Sequence, residues 1–100
     1  MERPIGSLER ESSFGARRVN GQSLRLSFQV SQAQRARLRL LCFKSGWVFE
    51  EDLGAILPGL DRTELELPGW PEEATLVQVE FYGEGRRREP LNRWLAGPGV

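Results

Sequence analysis

Histidine is absent from this 100-residue chain, and Cys42 is its only cysteine. An intramolecular disulfide is therefore excluded, as are zinc sites assembled from several Cys and His ligands. Without histidine, neither a Ser-His-Asp triad nor a Cys-His pair can be built. Lysine is nearly missing too: Lys44 stands against thirteen arginines. Two readings fit that bias. One is a GC-rich or thermophilic coding background, the other a use of arginine for bidentate contacts with carboxylates or phosphates. No run of apolar residues approaches the roughly 18 needed to cross a membrane. Residues 1–13 carry scattered charge and no apolar stretch of the kind that marks a leader peptide. The expected location is the cytoplasm, or a virion if the chain is phage-derived.

The formal net charge is zero, but the charges are segregated along the chain. Residues 23–46 hold Arg25, Arg35, Arg37, Arg39 and Lys44 with no acid, whereas residues 47–85 hold ten acids and one base, Arg62. Residues 86–100 turn basic again through Arg86, Arg87, Arg88 and Arg93. If these stretches become neighbouring strands, ion pairs across strands neutralise them. If they lie on separate sheets, the molecule is dipolar and suited to head-to-tail or hetero-oligomeric contact.

Residues 1–22 read as an extended N-terminal arm, with Pro4, Gly6, Gly15 and Gly21, mixed charge and no regular apolar spacing. From residue 23 onward the rhythm is that of strands. Leu24, Leu26, Phe28 and Val30 alternate with polar residues, and Ala36, Leu38, Leu40 and Cys42 do the same. In the second of these strands Leu41 and Phe43 also make the other side apolar, so that half is expected to be covered on both faces. Trp47–Phe49 opens a short strand leading into Glu50, Glu51 and Asp52. Residues 53–61 read as an apolar connection broken by Pro58-Gly59, and Thr63–Leu67 alternates again. Thr75–Tyr82 is the clearest strand. Gly83-Glu84-Gly85 reads as a hairpin, and the return strand over roughly 86–95 contains Pro90, which places it at an edge or a bulge.

Six or seven short strands with regular turn signals predict an all-β chain: an antiparallel β-sandwich over residues 23–100, with a jelly roll or small barrel as alternatives. The run Leu65-x-Leu67-Pro68, a loop, Leu76-x-x-Val79-x-Phe81, a Gly-rich hairpin and a final strand resembles the end of an immunoglobulin-like or fibronectin type III domain over residues 63–95. The resemblance implies a two-sheet sandwich. It departs at Ala74, near where the fibronectin type III pattern has a buried tyrosine, and in the early strand, which has Leu and Phe where that pattern has a core tryptophan.

The carboxylates Glu50, Glu51 and Asp52 lack the spacing of a calcium loop and read as a solvated acidic turn. No metal or other cofactor is expected, and no catalytic residue is assigned. Cys42, in step with the core leucines, reads as a small buried hydrophobe. Trp70 lies between prolines and is the tryptophan expected to be most exposed. The functional expectation is a non-enzymatic structural or interaction subunit of a larger assembly, such as a decoration, collar, tail or baseplate component of a phage or virus particle. Its contacts with protein subunits, in a homo- or hetero-oligomer, would come from Phe14, Arg17 and Arg18 of the arm, and from Trp70, Arg86, Arg87, Arg88 and Trp94. Two alternatives are a carbohydrate-binding module using exposed tryptophan and a barrel for single-stranded nucleic acid. In the latter, Tyr82, Trp94 and Phe43 would stack on bases, although the acidic stretch would repel a phosphate backbone.

Overall fold

The computed structural model describes residues 12–30, 33–83, 86–87 and 90–97. Within them the chain is all β, in two antiparallel sheets facing each other as a sandwich. Sheet A is ordered β1 (Ser12–Asn20), β2 (Ser23–Val30), β5 (Gly59–Glu66). Sheet B is ordered β4 (Trp47–Ile56), β3 (Gln34–Cys42), β6 (Thr75–Gly83), and β6 then pairs with two short segments, β7 (Arg86–Arg87) and β8 (Leu91–Leu95). The return strand thus lies at the edge of sheet B, the placement Pro90 requires because proline offers no N–H to a further strand.

Alternation decides which side chains meet. Leu24, Leu26, Phe28 and Val30 of β2 face Ala36, Leu38, Leu40 and Cys42 of β3 and Val77, Val79 and Phe81 of β6, all buried in one core. Phe28 sits at its centre, edge-on to Phe81 at 6.1 Å between ring centroids and 6.5 Å from Phe14. Burying a side chain of this size contributes about 2–3 kcal/mol.

Three expectations change here. The arm was expected to run free through residue 22, but Ser12–Asn20 forms β1 and pairs with β2 in register from Ser12↔Val30 onward. Residues 1–11 lie outside the described residues. Phe14, at 4% exposure, is a core residue, and Arg93 of β8 donates to its carbonyl oxygen at 3.2 Å, fastening β1 across to sheet B. Second, Leu53–Ile56 is strand rather than connection. Ala36 pairs with Gly54 and Arg37 with Asp52, so Leu53 is an extra residue bulged out of the ladder. Gly54 takes φ +78° there, a conformation glycine adopts without steric cost. Third, no described residue covers Phe43: it is exposed, with Leu41 half-buried beside it.

Candidate interaction face

The outward face of sheet B is organised in rows that the register defines. The first row runs Val48–Leu41–Leu76–Trp94, one residue from each of β4, β3, β6 and β8. Opposite residues of an antiparallel ladder project to the same side, so these four form one apolar stripe across the sheet. Phe43, in the turn after β3, extends the stripe, its ring centroid 5.8 Å from that of Trp94. Val48 is 54% exposed, Trp94 61% and Phe43 66%. Large apolar groups grouped in this way on a surface mark contact sites, whereas isolated ones are ordinary.

The next rows are polar. Arg39 stands between Glu50 and Gln78, Arg37 between Asp52 and Glu80, and Arg35 between Ala55 and Tyr82. Arg39 Nε lies 2.7 Å from Glu50 Oε2, and Arg35 reaches Asp52 at 3.7 Å. The Tyr82 hydroxyl donates to Asp52 Oδ2 at 2.7 Å, while Arg35 Nε donates to the same hydroxyl oxygen at 3.3 Å. These contacts hold the Asp52 carboxyl below the usual carboxylate range, chiefly through the Tyr82 hydrogen bond and then the Gly54 N–H, with Arg35 and Arg37 adding to it. The Tyr82 hydrogen bond is also the main cause that raises Arg35 above its ordinary value.

Glu50, Glu51 and Asp52 are therefore strand residues and not a solvated turn. Glu50 and Asp52 point outward to arginines, and Glu51, paired with Leu38, points to the other side. Among the described residues no three His, Cys, Asp or Glu side chains come together as metal ligands. No helix of the described residues is long and apolar enough to cross a membrane.

The residues singled out from sequence scatter. Trp94 is on the face just described. Arg17 is exposed on the outward face of sheet A. Phe14 is in the core. Trp70 was expected outside, yet it is 3% exposed. The turn Leu67-Pro68-Gly69-Trp70 closes with the Trp70 N–H donating to the Leu67 carbonyl at 3.1 Å, and Gly69 takes φ +82°. That turn folds the indole back over the end of the core, where Nε1 donates to Thr75 Oγ1 at 2.9 Å. Arg18 faces inward and stacks on the same indole, its guanidinium carbon 3.7 Å from the ring centroid. Its Nη2 donates to the carbonyls of Gly21 and Pro71 at 2.8 and 2.9 Å. Burial lowers its pKa, and Nε and Nη1 are shielded without a partner among the described residues. Arg86 and Arg87 are placed by backbone pairing with Gly83 and Tyr82, and Arg88 lies outside the described residues.

Sequence reasoning passed over Val48, Leu41 and Leu76 as contact residues. The signal was present in Leu41 and Phe43, which break the polar rhythm of the outward face of β3. In comparison with known proteins, neither a family nor a curated sequence matches this chain.

Proposed function

We propose that the chain is a non-enzymatic structural subunit of a protein assembly, with the outward face of sheet B as its contact surface and a second copy of the chain as the partner. The observation that carries the reading is the apolar row Val48–Leu41–Leu76–Trp94, capped by Phe43 and bordered by an arginine column with Glu50 and Asp52 on one side and Glu80 on the other. Three arginines (Arg35, Arg37, Arg39) and three acids (Glu50, Asp52, Glu80) share the polar part of that face. A two-fold rotation can therefore lay the basic column of one copy over acids of the other, which is the self-complementarity a closed dimer needs. Aromatic anchors beside a charged border are also the usual make-up of protein contact surfaces.

The strand order supports the immunoglobulin-like reading of the fold. A sheet of β1, β2 and β5 facing one of β4, β3, β6 and β8 is compatible with the two-sheet division of such sandwiches. A phage or virus particle is the concrete setting we propose for such a subunit, by fold-level analogy.

The test is sedimentation velocity over a range of concentrations. The wild-type chain should associate, and Val48→Lys with Trp94→Ser should be monomeric with an unchanged circular dichroism spectrum. A wild-type chain that stays monomeric at its highest soluble concentration would falsify the reading. The tryptophan-based glycan alternative makes the opposite forecast, a fluorescence change with sugar and no association.

A further inference from the structure

The outward face of sheet A carries a separate feature. Gly15, Ser27 and Arg62 are aligned across β1, β2 and β5, and the neighbouring row is Arg17, Arg25, Glu64. These rows border a shallow, open dimple of about 440 Å³, lined by Gly15, Arg17, Arg25, Ser27 and Arg62 together with Ala16. The floor is low because Gly15 has no side chain: a Cβ there would stand 3.0 Å from Ser27 Oγ. Arg17 and Arg25 are directly opposite each other, an arrangement of like charges that destabilises a sheet unless something neutralises it. Arg25 is partly neutralised by Glu64 at 3.4 Å. Arg17 and Arg62 have no ion-pair partner among the described residues.

We infer that this dimple is a binding site for a tetrahedral oxyanion, the phosphate or sulfate group of a small monoester. Three arginines, Arg17, Arg25 and Arg62, line one concavity, and a guanidinium can present paired N–H donors to an oxyanion. The Ser27 hydroxyl supplies a further donor at the floor, and the missing side chain at residue 15 lets the anion approach the sheet closely. The opening is wider than a bare oxyanion needs and leaves room for the group that carries it. The inference is independent of the contact surface on sheet B, which lies on the opposite side of the sandwich.

The test is a titration of the isotopically labelled chain, followed by NMR, with inorganic phosphate, inorganic sulfate and glycerol phosphate. Sodium chloride at matched ionic strength serves as the control. Saturable shifts should be confined to Gly15 and Ser27 amides and the Nε groups of Arg17, Arg25 and Arg62. Arg62→Gln should weaken binding about tenfold, the loss of one charge-assisted hydrogen bond. Glu64→Gln should strengthen it, because a competing carboxylate is removed; damage to the fold could not produce that gain. The phosphate and sulfate arms show which oxyanion is preferred, and tighter binding of glycerol phosphate than of inorganic phosphate identifies an ester. Equal shifts with chloride, shifts spread equally over Arg35, Arg37 and Arg39, or Glu64→Gln binding no better than wild type would overturn the site.

Discussion

Asp52 shows how much one exposed carboxylate can be shaped by its neighbours. It accepts from the Tyr82 hydroxyl and from the Gly54 N–H at the bulge, with Arg35 beside it. Its folded pKa is lowered, so its contribution to stability is complete above the ordinary aspartate value of about 3.9 and is lost as pH falls through the lower, folded value. An NMR titration of the Asp52 carboxyl should place its midpoint below the ordinary range. In Tyr82→Phe the midpoint should move back toward that range, since the largest cause is gone; an unmoved midpoint would assign the depression to the Gly54 N–H and the arginines. Trp70 and Arg18 teach a different lesson at this scale. Their burial was not legible in the sequence, because Pro-Gly-Trp-Pro reads as an exposed loop whichever way the indole turns. What decides it is the hydroxyl of Thr75, fully buried, which accepts from the indole and touches Cys42 Sγ at 3.2 Å.

Among the elements, the strands with plain alternation were legible. β2, β3 and β6 fall where Leu24–Val30, Ala36–Cys42 and Thr75–Tyr82 place them. β1 was hidden because its inward positions are Phe14, Ala16 and Arg18: one large, one small and one charged residue give no apolar rhythm. The end of β4 was hidden because the bulge at Leu53 shifts the inward–outward phase by one residue. If β1 is part of the sandwich, Phe14→Ala should destabilise the fold by about 3–5 kcal/mol in chemical unfolding. A loss near zero would return β1 to the status of a detachable arm. Gly97 tests the opposite end of the chain. A Cβ there would meet the Glu73 backbone at 2.8 Å, so Gly97→Ala should cost about 1–3 kcal/mol by forcing β8 away from the β5–β6 loop.

For the whole molecule, the segregated charges of the sequence are reconciled by register. The basic stretch 23–46 supplies β2 and β3, the acidic stretch 47–85 supplies β4, β5 and β6, and the ladders set them side by side: Arg25–Glu64, Arg35–Asp52 and Arg39–Glu50. Exposed pairs of this kind contribute little each, at most about 1 kcal/mol. Their consequence is a mixed-sign face, and in the apolar row beside it Val48 and Trp94 stay exposed among the described residues. That row was only half legible, since Leu41, Phe43 and Trp94 were visible as anomalies but their alignment depends on the pairing of four strands.

Fluorescence quenching by acrylamide, followed as protein concentration rises, measures that row directly. Trp70 is buried and Trp47 half-buried, so the quenchable emission comes chiefly from Trp94. The account predicts that quenching falls as concentration rises and that Trp94→Phe abolishes the change. Quenching that stays constant from dilute to concentrated protein would show Trp94 remaining in water, and would contradict the assignment of this face to subunit contact.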